Sequence, residues 1–344
     1  VGIALMGIGQ SLGLPAGWIA GAVVSGAYFG DKMSPVSDTT NIAATMAGAE
    51  LTDHIRHMIW TSGPAILVAL AVFGIKGLSA NESGDLSEVA VITDLLESKF
   101  TISPWLLLVP IASIALIALK LDALAAMGLG TLAGAVAANI LQPHIIAEIA
   151  GHSGPSAWYE GSMQAMYGST QIAIDHPMLS ELLKGKGMAG MIGTVWLFLC
   201  ALTFGGIMDA AGFLATLTQG LLRIARGTFG LISSTLASSL MLNITASDQY
   251  LAIVVPGRMF KKAYEERGLK PENLSRALED SGTVTSALVP WNTCGAYQSS
   301  VLGVATGEYF MYAIFNWMSP LMSLLLAATG WKVTKTASAS STQS

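Results

Sequence analysis

Apolar residues run through this chain in long blocks, without the strict alternation of a strand or the single stripe of a soluble helix. A helix that crosses a bilayer needs about 20 mostly apolar residues. Five blocks meet that need: Met58–Ile75, Pro104–Leu119, Leu121–Leu141, Met188–Met208 and Glu308–Gly330. Three others do not read as simple spans. Pro15–Gly48 is interrupted by Asp31-Lys32-Met33-Ser34-Pro35-Val36-Ser37-Asp38, and Thr228–Pro256 is broken near Asn243–Asp248. Asp280–Gly303 is rich in Ser, Thr and Gly and carries Pro290 and Asn292. Polar, Pro-interrupted backbone survives at membrane depth only where protein or a wet cavity surrounds it. The pattern therefore predicts an all-α polytopic membrane protein whose chemistry sits in those three interrupted segments.

Composition narrows the function classes. Of 344 residues, 52% are hydrophobic and 11% charged, against about a quarter charged in an ordinary soluble domain. Mean hydropathy is +0.58, which excludes a water-soluble enzyme and a disordered chain alike. Cys200 and Cys294 lie in apolar runs and offer neither a disulfide framework nor a zinc site. A net charge of −5 without a basic block argues against nucleic acid as a partner. No phosphate loop or nucleophile elbow stands in a usable context, so ATP-driven transport and enzymatic catalysis have no support and no cofactor is expected.

Loop charge orients the spans. Arg258, Lys261, Lys262, Arg267, Lys270 and Arg276 mark the Arg258–Glu279 segment as cytoplasmic, as do Lys120, Arg223, Arg226, and Lys332 with Lys335 for their own turns. Glu82, Asp85, Glu88, Asp94 and Glu97 mark the Lys76–Ser103 loop as external. Thr228–Pro256 then has cytoplasmic charge at both ends and is predicted to enter and return on one side as a helical hairpin. The interrupted segments Pro15–Gly48 and Asp280–Gly303 cross in opposite directions, each followed by one ordinary helix. Interrupted segments at matching places in two halves are the mark of an inverted-repeat secondary transporter. The expected organisation is residues 1–75 as the remainder of a first repeat (the end of its hairpin, a broken helix and a closing helix) and 76–103 as an external acidic loop. Residues 104–330 form a second repeat, with its hairpin at about 228–257 and its broken helix at about 280–303, and 331–344 a cytoplasmic tail. The chain opens inside an apolar stretch, Val1-Gly2-Ile3-Ala4, and the repeat logic leads to the expectation of N-terminal truncation by about 145 residues.

An ionisable residue inside a span costs roughly 2.5–3.5 kcal/mol even on the insertion scale and is a functional candidate by default. Asp31, Lys32 and Asp38 stand inside the first broken span among Ser34, Ser37, Thr39, Thr40 and Asn41. Carboxylates, hydroxyls and amides are the oxygen ligands that hard cations take. Asp248 beside Asn243, Thr245 and Ser247 is a second candidate, and Asp280 with Thr283 and Asn292 a third. The competing reading for each is helix capping, a role open to Ser, Asp and Asn without any transport chemistry. Asp53-His54-Ile55-Arg56-His57 reads as a cytoplasmic interfacial cluster, and His144, His152 and His176 lie in an external segment. Gly26 and Gly30, like Gly130 and Gly134, have the spacing of helix-packing pairs.

Gly30-Asp-Lys-Met-Ser-Pro-Val-Ser-Asp-Thr-Thr-Asn41 resembles a stretch typical of the NhaC-type Na+/H+ antiporters, within the ion transporter superfamily. So do Asp53-His-Ile-Arg-His-Met58, Ala246–Arg258 and Leu278–Tyr297, in the same order along essentially the whole chain. The resemblance implies inverted repeats with hairpins and broken helices, Na+ and protons as the transported partners, a homodimer in the cytoplasmic membrane, and exchange of Na+ for H+. The family's malate/lactate type leaves a Na+-coupled organic-anion exchanger as the alternative. Asp31, Asp38 and Lys32 are then the coupling residues. Asp31, Ser34, Ser37, Asp38, Thr39, Asn41, Asp248, Asp280, Thr283 and Asn292 are the Na+ candidates. Burial favours a protonated carboxylate and a neighbouring Lys32 an ionised one, so a carboxylate between them holds either a proton or Na+.

Overall fold

The computed structural model describes residues 2–35, 37–79, 86–119, 121, 123–176, 179–180 and 183–336. Among them the chain is helical, with two isolated bridges (Thr170 to Gly185 and Leu269 to Lys335) and no strand. The helices are α1 (Gly2–Ser11), α2 (Ala16–Lys32), α3 (Asp38–Ala47), α4 (Leu51–Ser79), α5 (Leu86–Lys99), α6 (Leu108–Ala118), α7 (Ala123–Leu141), α8 (Pro143–Ala150) and α9 (Pro155–Tyr167). They continue with α10 (Ile192–Ala210), α11 (Phe213–Ile224), α12 (Gly227–Thr245), α13 (Gln249–Glu266), α14 (Pro271–Leu278), α15 (Thr293–Leu302), α16 (Thr306–Tyr309) and α17 (Ile314–Thr329). By length and composition, Leu51–Leu78, Ala189–Ala210 and Gly227–Thr245 are each able to cross a bilayer, and three bent helix pairs add further apolar length.

The chain divides into two compact units, one of Val1–Gln10, Leu14–Asn81 and Thr194–Ser344, the other of Ser11–Gly13 and Glu82–Gly193. In the second unit, α6 packs on α7 and α8 on α9. There α7 and α8 meet at a 103° bend, with Pro143 opening the new helix. Lys99 Nζ reaches Glu148 Oε2 at 2.7 Å, and this bond holds the Glu148 carboxyl below its ordinary range. Lys120 and residues 80–85, including Glu82 and Asp85, lie outside the described residues.

The first unit carries the three interrupted segments. Each breaks within the polar cluster that marks it: α2 ends at Lys32 and α3 starts at Asp38, α12 ends at Thr245 and α13 starts at Gln249, and helical turns through Ser286 give way before α15 starts at Thr293. One core cluster joins Tyr28, Ala65, Val284, Leu288, Tyr309 and Phe315, and another joins Ala43, Leu231, Ile253, Phe260, Leu274 and Leu278. The first unites the two broken segments, and the second joins α3 to the hairpin helices α12 and α13 and to α14.

Four features depart from the sequence reading. Glu308–Gly330 is not one helix; it bends by 52° at Ala313, whose ψ of 64° leaves the helical region. The cause is a close approach. A Cβ on Gly17 would meet Glu308 O at 2.5 Å, and one on Gly21 would meet the Tyr312 backbone at 2.5 Å. The packing pair is thus Gly17 and Gly21, while a Cβ on Gly26 or Gly30 would meet nothing within 4 Å. The Arg258–Glu279 segment is not an open loop, because α13 runs through Pro256 to Glu266 and α14 follows; proline removes one helix hydrogen bond there without stopping the helix. Lastly, Arg276 and Glu279 are buried rather than loop charges.

Candidate functional site

The break after α2 is built by its own polar residues. Asn41 Nδ2 donates to Pro35 O at 3.0 Å and Ser37 O at 2.6 Å, and Thr40 Oγ1 donates to Lys32 O at 3.2 Å. The bonds to Lys32 O and Pro35 O satisfy carbonyls that the interruption leaves free, and the one to Ser37 O adds to the helical bond that carbonyl accepts from Asn41 N. They also turn the adjacent residues Asp31 and Lys32 to different surroundings.

Lys32 points inward. Its ammonium pairs with Asp280 Oδ1 and donates to Ser319 Oγ at 2.7 Å, and both charged side chains have zero exposure. Thr61 Oγ1 from α4 and Ser319 Oγ from α17 also donate to Asp280 Oδ1, at 2.9 and 2.8 Å. One carboxylate oxygen thus collects three donors from three helices, and the Phe315 ring lies 5.8 Å from the ammonium. A buried pair persists only when further hydrogen bonds offset the cost of leaving water, and Thr61 and Ser319 provide them. The expected partnership of Lys32 with Asp31 or Asp38 gives way to Lys32 with Asp280. The reason is geometric: the break directs the lysine into the core and the two aspartates away from it.

Asp31 and Asp38 line a separate cleft of about 260 Å³ with Ala27, Tyr28, Thr39, Gln249, Tyr250 and Gln298. Asp38 accepts from the Tyr250 hydroxyl and, through Oδ1, from Thr39 N at 2.9 Å. Thr39 Oγ1 lies 3.3 Å from Asp31 Oδ2 and 3.0 Å from Ser37 Oγ. The structure thus brings Asp31, Ser37, Asp38 and Thr39 together, with Ser34 half-buried in the turn before them.

The other two interruptions are stitched to each other. Asn292 Nδ2 donates to Asn243 Oδ1 at 3.1 Å, Asn243 Nδ2 to Gly282 O at 2.8 Å, and Thr293 N to Ser247 O at 3.0 Å. Asp248 Oδ1 accepts from Leu251 N at 2.9 Å and caps α13, while Asn292 Oδ1 accepts from Cys294 N at 3.0 Å and caps α15. For these two candidates the capping role is realised. Ser37 makes no side-chain cap bond to α3.

Sequence reasoning missed a second tier of buried polar groups. His54 and His57 face the interior at 0% and 7% exposure rather than an aqueous interface. Both His54 ring nitrogens, His57 Nε2, and Arg276 Nε and Nη2 have no hydrogen-bond partner among the described residues. The i, i+3 spacing of the histidines on α4 was a legible sign of one buried face. Thr61, Ser319 and Asn316 gave no such sign, being isolated small polar residues in apolar helices.

The site therefore sets an open acidic cleft beside a buried, fully desolvated ion pair. The sequence profile of the Na+/H+ antiporter family matches residues 26–331. The Na+/H+ antiporter NhaC of Alkalihalophilus pseudofirmus is 35% identical over 97% of this chain and 70% of its own length. The arginine/ornithine antiporter ArcD of Halobacterium salinarum is 33% identical over 97% and 67%, and the malate-2H+/Na+-lactate antiporter of Bacillus subtilis 31% identical over 92% and 65%. No solved structure matches the chain. With a profile spanning nearly the whole length, and antiporter relatives above 30% identity over most of their own, this chain belongs to the Na+/H+ antiporter family.

Proposed function

We propose that this protein is a secondary active transporter that exchanges Na+ for H+ across the cytoplasmic membrane, working as a homodimer of inverted-repeat protomers. The relatives at 31–35% identity carry names with different substrates, so the chemistry of the cleft decides among them. The observation that carries this reading is the cleft's lining: two carboxylates, two tyrosines, two glutamines and a threonine, with no basic side chain. An organic anion needs a positive partner, and the lysine nearest in sequence is fully buried against Asp280.

In this mechanism Asp31 and Asp38 gather Na+ from one side of the membrane. The Lys32–Asp280 pair holds the interior neutral while the site is exposed to only one side. A proton replaces Na+ on the return, with one repeat element moving against the rest. The Lys76–Ser103 segment is external and the turns at Arg258–Glu279 cytoplasmic in this arrangement. Proteoliposomes holding a pH-sensitive dye test it: a Na+ pulse is expected to drive proton efflux without malate, lactate or arginine present. Proton movement that requires one of those solutes contradicts the reading.

A further inference from the structure

The Lys32–Asp280 pair leaves several acceptors unused beside it. Asp280 Oδ2, Glu279 Oε1 and Oε2, Thr283 Oγ1 and Asn316 Oδ1 are buried and have no hydrogen-bond partner among the described residues. The four side chains involved have zero exposure. Buried polar groups without partners are rare, and a buried carboxylate with both oxygens free is costly. We propose that Glu279, Asp280 Oδ2, Thr283 and Asn316 form an interior binding site for a monovalent alkali cation, reached from the Asp31/Asp38 cleft. The proposal rests on the Na+/H+ reading above and adds where the ion sits after leaving the cleft.

Backbone geometry brings these groups together. Glu279–Thr283 forms a single π-helical turn. In such an i→i+5 turn, residues four and five apart stand on one face. Glu279, Thr283 and Val284 therefore line up, and Asp280 lies in line with Val284. Two residues of α17, three apart and so on one face, reach the same turn: Ser319 Oγ donates to Asp280 Oδ1 at 2.8 Å and Asn316 Nδ2 to Val284 O at 2.7 Å. Asn316 thus spends its amide nitrogen on the turn and leaves its oxygen free there.

Position and charge identify the ligand class. Glu279 adjoins Asp280 in one π-helical turn, and Lys32, the partner of Asp280, adjoins Asp31 of the open cleft. All the free atoms are oxygens from carboxylates, a hydroxyl and an amide, the donors of a hard cation. With Lys32 and the buried Arg276 set against Asp280 and an ionised Glu279, two positive charges already meet two negative ones. Each added buried charge is costly, so a monovalent cation is favoured over a divalent one.

The test is Na+-dependent thermal unfolding of the purified full-length chain in detergent, titrating NaCl against choline chloride at fixed ionic strength. A ligand bound only by the folded state raises the midpoint as its concentration passes the dissociation constant. The wild-type protein is expected to show a saturable Na+ shift that MgCl2 does not reproduce. Glu279→Gln, similar in shape but uncharged, is expected to need at least about tenfold more Na+ for the same shift, one decade per 1.4 kcal/mol of lost binding. Thr283→Val, which removes the hydroxyl at nearly constant volume, should weaken the shift several-fold, and it covers the case in which Glu279→Gln does not fold. Asp38→Asn, in the open cleft, is expected to lose exchange while Na+ still raises the unfolding midpoint. Unchanged Na+ titration in both Glu279→Gln and Thr283→Val, or an equal shift with Mg2+, overturns the interior site alone. No Na+ shift in the wild-type protein overturns the Na+ reading on which it rests.

Discussion

Removing either partner of the Lys32–Asp280 pair leaves the other charge buried at zero exposure. Without the lysine, Asp280 Oδ1 keeps only the hydroxyls of Thr61 and Ser319 among the described residues; without the carboxylate's charge, the ammonium keeps only neutral acceptors and the Phe315 ring. Breaking such a pair from one side costs about 3–5 kcal/mol, most of it the penalty of an unpaired buried charge. Lys32→Met and Asp280→Asn should each destabilise the protein by that amount. The double variant strands neither partner of the pair, and the amide oxygen introduced by Asp280→Asn still accepts from Thr61 and Ser319. Its loss should be smaller than the sum by about 3 kcal/mol or more. Denaturant titration in mixed micelles at pH 7 measures the cycle, with dye-loaded proteoliposomes prepared from the same samples. Stability is expected to return in the double variant and exchange is not. Additive losses within about 0.5 kcal/mol refute the coupling, and a double variant that regains exchange along with stability refutes a transport role for the pair.

Three further outcomes follow from the geometry. Asp248→Asn should leave stability and Na+ affinity nearly unchanged, because Asn caps a helix as well as Asp does, whereas Asp248→Ala should cost about 1 kcal/mol in a denaturant titration. Tyr250→Phe, which removes the hydroxyl bonded to Asp38 in the open cleft, should change the apparent Na+ affinity of exchange and leave the thermal midpoint in place. Glu148 is held below its ordinary range by its bond to Lys99, so the stability this bond contributes is present above about pH 4.3 and is lost as pH falls through the depressed value. Both groups are partly exposed, so Glu148→Gln should cost at most about 1 kcal/mol at pH 7 and nothing measurable at pH 2.

Much of this architecture is legible in the residues because a membrane punishes misplacement. Asp31-Lys32 and Ser34-Pro35 interrupting an apolar run, or Asn243 through Asp248 interrupting another, have few solutions besides a broken helix. Three-dimensional pairing was not legible. Lys32 and Asp280 lie 248 positions apart, and nothing local says which of the nearby carboxylates the lysine takes. The bend at Ala313 has the same origin, since it answers Gly17 and Gly21 on a distant helix rather than anything in its own sequence. Charge counting misled at Arg276, Glu279, His54 and His57, where polar residues near a span end were read as solvated and instead face the interior. An apolar flank on only one side of each gave no means to tell the two apart.

The central claim is that carboxylates in an open cleft gather the Na+ exchanged for a proton. The most direct measurement is Na+-driven proton efflux from proteoliposomes holding the wild-type protein, Asp31→Asn or Asp38→Asn, followed across pH at matched protein content. Asn keeps the volume and an oxygen ligand but neither the charge nor the exchangeable proton. Robust exchange is expected in the wild-type protein and loss of exchange in both variants, with insertion and folding unaffected. Full Na+-dependent exchange with an unchanged pH profile in Asp31→Asn and Asp38→Asn contradicts the claim.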